Sequence, residues 1–213
     1  MLKKIFIKYL LLLSLVFLAT TSVNAEELAP LLAELQQAAA ETETLSSPFV
    51  QEKYLQIFSE KLISNGQFAY QKPDRLRWEL LTPVASGFIL RGDQGERWNS
   101  LSQKQEKFSV KSDPIMGMIA QQLLAWARVD LDWLQSRYRM EVSSVTPIVL
   151  TLYPLDQGEA TFIDHLNIQF STDRRHVSEV LMVEQGGDST LLRFIDAQVN
   201  IELAADTFQV PEL

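Results

Sequence analysis

Gly66-Gln-Phe-Ala-Tyr-Gln-Lys-Pro-Asp-Arg-Leu-Arg-Trp-Glu-Leu-Leu-Thr-Pro83 is the stretch that decides the fold. Phe68, Tyr70 and Lys72 fall on one side of an extended chain, and Leu76, Trp78 and Leu80 on one side of the next, with Arg75, Arg77 and Glu79 opposite. A period of two is the mark of strands. Between them, Lys72-Pro73-Asp74-Arg75 supplies a turn, because proline holds φ near a turn value and aspartate bonds its own backbone. The pattern predicts a β-hairpin with one aromatic and one charged face. Whether the aromatic face joins a packed core or lines a chamber depends on the rest of the chain.

Working outward, the chain begins with Lys3, Lys4 and Lys8, an apolar run from Tyr9 to Ala19, and the small-x-small site Val23-Asn24-Ala25. That is the pattern of a secretory signal peptide. The run is shorter than the roughly 20 residues that span a bilayer. Residues 1–25 are therefore expected to be removed, leaving residues 26–213 as one exported domain. The formal net charge is −8, and the three lysines of the leader make the remainder more acidic still. So acidic a surface argues against nucleic acid and against adsorption to anionic lipid, both of which need lysine and arginine on phosphate. With no cysteine, stability rests on the core without disulfides. Two histidines and no cysteine leave little for a transition-metal site, so no metal and no cofactor are expected.

Leu28, Leu31, Leu32, Leu35 and Ala39 recur at helical spacing, predicting an amphipathic helix over 27–42 that lies across a sheet by its leucine stripe. An extended stretch from Leu45 to Phe58 follows, with Phe49, Gln51, Lys53 and Leu55 on one parity. Beyond the hairpin come a strand at 85–91 and shorter strands around Trp98 and Phe108. The pattern then switches at Asp113-Pro114, where aspartate caps free amides and proline fits the first helical turn. From Pro114 to about Ala127, Ile115, Met116, Met118, Ile119, Leu123, Leu124 and Trp126 cover most of the circumference. A helix apolar all round is buried or covers something apolar, and its methionines repack against varied shapes. A short helix from Asp130, with Trp133 and Leu134 inward, precedes strands at 138–145, 148–154, 163–170, 177–185 and 189–199.

About eleven strands against about three helices make a mainly β, α+β domain. An antiparallel sheet that wide curls as its twist accumulates. Too few helices remain to cover both faces, so the expected form is a single unclosed β-barrel whose aromatic concavity is roofed by the apolar helix. Such a concavity is a chamber for a hydrophobic ligand.

Several short pieces then resemble the LolA and LolB family of periplasmic lipoprotein-localisation proteins, on its soluble-carrier side. They are Phe49-Val-Gln51, the Gly66 to Pro83 hairpin with its Lys-Pro turn, Asp113-Pro-Ile-Met116, Asp132-Trp133, Val149-Leu-Thr151 and Asp206-x-Phe208, in the family's order. The resemblance implies a roofed, unclosed barrel that binds acyl chains and catalyses nothing. It implies a monomeric periplasmic carrier of acylated lipoprotein, loaded by an inner-membrane exporter and unloaded by an outer-membrane lipid-anchored receptor. Its lipid cavity would be lined by Phe49, Phe68, Tyr70, Leu76, Trp78, Trp98, Met116, Met118 and Trp126. The family's gating arginine, just before the turn proline, is here Lys72, a point donor without the planar fork. The resemblance thus implies that Lys72 is the corresponding lid latch, where the residues alone read equally as a solvated turn lysine.

An enzyme would need a reactive constellation. Asp164 and His165 are adjacent and His176 follows two arginines, but no Gly-x-Ser-x-Gly elbow, metal-binding helix or glycine-rich phosphate loop is present. Two alternatives keep the chamber and change its use: a carrier of a glycolipid or fatty-acyl conjugate for a dedicated exporter, or a lipid-sensing periplasmic regulator.

Overall fold

The computed structural model describes residues 25–212, so the expected leader lies outside them apart from Ala25. Helix α1 (Ala25–Ala40) leads into six strands: β1 (Thr44–Tyr54), β2 (Leu62–Gln71), β3 (Arg75–Thr82), β4 (Ser86–Arg91), β5 (Gln94–Asn99) and β6 (Lys104–Ser109). Helices α2 (Pro114–Arg128) and α3 (Leu131–Arg137) come next. They are followed by β7 (Tyr138–Val145), β8 (Ile148–Pro154), α4 (Gln157–Ala160), β9 (Ile163–Phe170), β10 (Val177–Glu184), β11 (Ser189–Phe194) and β12 (Gln198–Val199). All strands join one antiparallel sheet in the order β6-β5-β4-β3-β2-β1-β11-β10-β9-β8-β7, with β12 added beside β1. Strands β6 and β7 are its two edges, so the barrel is unclosed as expected.

The hairpin has the register its parity demands, Phe68 opposite Trp78 and Tyr70 opposite Leu76. Two counts differ from expectation. The stretch 189–199 is two strands, because Asp196 takes a left-handed φ of 47° and breaks the ladder. A fourth helix of four residues is held by Asp156 accepting from the Glu159 amide at 2.9 Å. Four residues are too few to show a helical period.

Capping sets the lid as the sequence predicts. Asp113 accepts from the Met116 amide at 3.1 Å with Pro114 at the start of α2, and Asp130 accepts from the Trp133 amide at 3.0 Å to start α3. Leu32 and Leu35 of α1, Met116 and Leu123 of α2, and Leu131 and Leu134 of α3 then join one apolar core on the concave face.

The charged face of the hairpin is covered as well. Cross-strand pairing places Arg77 beside Ile89, and Glu79 beside Gly87 and so Trp98, all on the convex side. The segment 204–211 lies over them. Arg77 donates to the Glu79 carboxylate at 2.6 Å and to the carbonyls of Thr207 and Gln209 at 3.1 and 2.7 Å, while Arg91 donates to the Phe208 carbonyl. Phe208, Ile89 and Trp98 are buried as a result, with the Arg77 guanidinium 5.2 Å from the Trp98 ring centroid.

Gly66 is where the concave face depends on a missing side chain. A Cβ there would stand 2.3 Å from both the Glu79 carbonyl oxygen and Cζ of Phe49. Gly66→Ala should lower the free energy of unfolding by about 1–3 kcal/mol, as overpacking does. Gly186→Ala, with nothing within 4 Å, should leave it unchanged. Urea denaturation of both variants checks the contrast.

Candidate functional site

The concave face is lined by aromatic rings that organise around Gly66. Phe49 stacks on Trp78 with centroids 4.0 Å apart and rings inclined by 21°. Phe68 meets Trp78 edge-on at 6.2 Å and Phe194 at 5.6 Å. Offset and edge-on contacts of this kind add to simple burial.

Where this cluster ends, a groove of about 410 Å³ begins. Its apolar lining comes from Trp78, Leu80, Phe88, Trp98 and Met116 of α2, and its polar lining includes Arg97, Asn99, Lys104 and Glu106. The size lies within the roughly 300–1,000 Å³ of ligand sites. Arg97 binds Glu106 at 2.9 Å and Asp113 at 3.2 Å. Because Asp113 also caps α2, this arginine ties the sheet to the first turn of the lid.

A second, much smaller void of about 10 Å³ lies between sheet and α2, lined by Leu45, Phe68, Leu123, Trp126, His176 and Phe194. Nε1 of Trp126 and Nδ1 of His176 are buried there without hydrogen-bond partners. Burial holds the His176 pKa below its ordinary value, against the opposing pull of the Asp173 carboxylate 3.8 Å away.

The residues predicted for the cavity divide into groups. Phe49, Phe68, Trp78 and Met116 meet on the concave face, and Trp126 is half-buried at the small void. Tyr70 and Leu76 share that face but are 1% and 0% exposed, sealed beneath other side chains. Trp98 stands on the convex parity, because its strand partner Gly87 neighbours Glu79 there, and it still borders the groove past that glycine. Met118 points outward from the lid, 52% exposed, with Ile115 and Ile119. Lys72 reaches α1 and not α2: its Nζ donates to the Ala40 carbonyl at 3.2 Å and to Glu43 at 3.0 Å. Leu80, Phe88, Arg97 and Phe194 were missed. Phe88 and Leu80 sit at the parity that names the concave face, whereas a charged residue such as Arg97 gives no such signal.

An unclosed antiparallel sheet with helices packed into its apolar hollow defines a class, the roofed half-barrels. Residues 40–211 match the family model "Outer membrane lipoprotein carrier protein LolA", and the chain belongs to that family. An outer-membrane lipoprotein carrier protein from Pseudoalteromonas translucida (strain TAC 125) is 23% identical over 148 residues, 68% of this chain and 65% of that protein. The match therefore spans somewhat less than two thirds of that relative's length. Among solved structures, MucB aligns with a TM-score of 0.55 at 16% identity, covering 88% of this chain and 64% of MucB. An uncharacterized conserved protein from Thermus thermophilus aligns at 0.54 and 7% identity, covering 87% and 94%. At such identities the likeness shows the fold alone.

His176 gives the core a pH signature. An unfolded histidine takes up its proton near pH 6.5, whereas buried His176 does so only at lower pH. Below about pH 6.5 the unfolded chain thus binds more protons, and stability falls as pH drops towards the folded pKa. His176→Phe should flatten that part of the curve, as read by thermal melts between about pH 7.5 and about pH 5, which bracket the imidazole value.

Proposed function

We propose that the protein is a soluble periplasmic carrier. It shields the acyl chains of lipoproteins and ferries them from an inner-membrane exporter to an outer-membrane lipid-anchored receptor, acting by binding and transfer and not by catalysis. The observation that supports this reading best is the groove with an apolar floor, continuous with an aromatic concavity and roofed by a helix whose inner surface is apolar. Each methylene kept from water contributes about 0.8 kcal/mol, so ten of them exposed would cost on the order of 8 kcal/mol. A carrier must offset most of that and still release the chain, which favours hand-off to a partner that binds it better.

In this reading the resting concavity is largely filled by its own rings, and cargo enters by the groove, displacing α2 from the sheet. Met116 then trades contact with Phe88 and Trp78 for contact with an acyl chain, as a flexible methionine does well. The Lys72 departure from the family's arginine supports a second reading, in which the cargo is another acyl product such as a glycolipid or fatty-acyl conjugate.

Fluorescent acyl probes should bind saturably to the purified mature protein. Met116→Glu should weaken them by at least about tenfold, because a carboxylate placed against an apolar chain loses its hydration. Met118→Glu, on the outer surface of the lid, should bind as wild type. Absence of saturable binding in the wild type would end the carrier reading.

Lys72 is proposed as a latch acting through α1, whose Leu32, Leu35 and Ala39 cover the concave face. Closure of the roof presses cargo out, so a weakened latch retains it. Lys72→Leu should slow transfer of bound acylated cargo to an acceptor, and Lys72→Arg should transfer normally. Stopped-flow transfer between labelled donor and acceptor proteins measures both. An exposed ion pair contributes only about 0–1 kcal/mol, so the melting temperature of Lys72→Leu should barely move.

A further inference from the structure

We propose that one rim of the sheet rests on a lipid bilayer and enters it by apolar loop tips. This deepens the carrier reading and rests on it. Antiparallel order gathers the connections 55–61, 83–85, 100–103, 155–162 and 185–188 at a single rim. That rim holds Ile57, Leu101 and Phe162, which are 84%, 80% and 74% exposed, together with the exposed Leu155, Phe58 and Leu81. The turns of the opposite rim at 72–74, 92–93, 146–147 and 171–176 contain no large apolar side chain. Exposed apolar side chains are ordinary when scattered. Here the three most exposed, Ile57, Leu101 and Phe162, share one end, while Val145 and Ile201 lie towards the other and Ile115 and Met118 on the lid.

The tips are held together. The Gln56 amide donates to Asp188 at 2.9 Å, linking the β1–β2 loop to the β10–β11 turn. From that turn, the Gln185 amide donates to the Phe162 carbonyl at 2.8 Å and its side chain to the Ala160 carbonyl at 3.2 Å. Ile57, Phe58 and Phe162 therefore belong to one connected edge. The β1–β2 hairpin also overhangs its neighbour, since Thr82 at the end of β3 pairs with Asn65 while β2 begins at Leu62.

Two observations select a bilayer as the occupant. The groove opens at this same rim, where Leu80, Ser86, Asn99, Ser102 and Lys104 line it, so a membrane there would face the mouth of the acyl site. The rim connections contain Glu60, Asp156, Glu159 and Asp188 against Lys61 alone. Attraction to lipid phosphate is thus not the driving force, and separate apolar tips with polar neighbours suit insertion among neutral headgroups.

The test is flotation of the mature protein with phosphatidylcholine vesicles, with and without phosphatidylglycerol, for wild type and the triple variant Ile57→Ser, Phe58→Ser, Phe162→Ser. Wild type should float with pure phosphatidylcholine, and about 0.5 M salt, where charges are screened within a few ångströms, should not release it. The triple variant should lose at least about tenfold of vesicle partitioning, given the apolar groups removed. It should keep its melting temperature and its affinity for soluble acyl probes. No flotation of the wild type, equal flotation of the variant, or binding that requires phosphatidylglycerol and is lost in salt would each overturn the proposal. So would slowed transfer between purified donor and acceptor proteins without any vesicle binding, which would assign the rim to a protein partner. Vesicle binding without acyl-probe binding would refute the carrier reading and leave the rim's membrane contact standing.

Discussion

The aromatic, aliphatic concave face cannot be left to water, and the rest of the architecture answers that constraint. Twelve antiparallel strands curl one face inward and bring Phe49, Phe68, Trp78, Phe88 and Phe194 to it. The stacking of Phe49 on Trp78 is possible only because Gly66 has no side chain between them. Since β6 and β7 do not pair, closure cannot hide this surface as it does in a complete barrel. Helices α1, α2 and α3 cover it instead. A roof of side chains, unlike a ring of backbone hydrogen bonds, can be exchanged for another apolar surface.

The convex face meets a different requirement. An ion pair taken out of water is costly unless its remaining donors are satisfied. Arg77 uses its donors on Glu79 and on the carbonyls of Thr207 and Gln209, so the terminal segment supplies acceptors that solvent would otherwise provide. It is fixed against β3 and β4 by that arginine, by Arg91 and by buried Phe208. The charged face of the central hairpin is therefore where the segment 204–211 docks, and the hairpin is covered on both sides.

Local chemistry was legible in the sequence. The period-2 parity of Gly66–Pro83 gave the register, and Asp113-Pro114 gave the start of the lid to the residue, because turns and caps depend on a few neighbouring atoms. What was not legible is which side faces what. Trp98 reads as a cavity aromatic and does border the groove, but from the convex parity, and parity alone does not say which face of a six-residue strand is concave. Its placement follows from pairing with Gly87, a contact invisible in one dimension. The direction of Met118 was hidden for the complementary reason. A helix apolar all round gives no direction, and only packing decides that Met116 turns in and Met118 out. Arg97 was passed over because charge reads as surface, whereas here it stands on the concave parity beside Phe88 and ties down the lid.

The composition of that lid fits the movable roof that the proposed carrier reading requires. Few polar ties hold it: Arg97 to Asp113, and the Tyr138 hydroxyl bridging Gln122 of α2 at 3.0 Å and Glu159 at 2.7 Å. Burial raises the Tyr138 pKa well above its ordinary value, so this hydroxyl remains a proton donor across the physiological range. Polar groups freed by lid movement lie near the edges, where water can replace their partners, and such exchanges contribute only about 0.5–1.5 kcal/mol each. More of the closing free energy comes from the apolar surface of Met116, Leu123 and Leu124, which water cannot compensate and another hydrocarbon can. In the proposed carrier reading, a roof built this way stays shut against solvent and yields to an acyl chain. Selectivity for apolar cargo would then follow from what replaces the roof and not from any hydrogen bond made to the cargo.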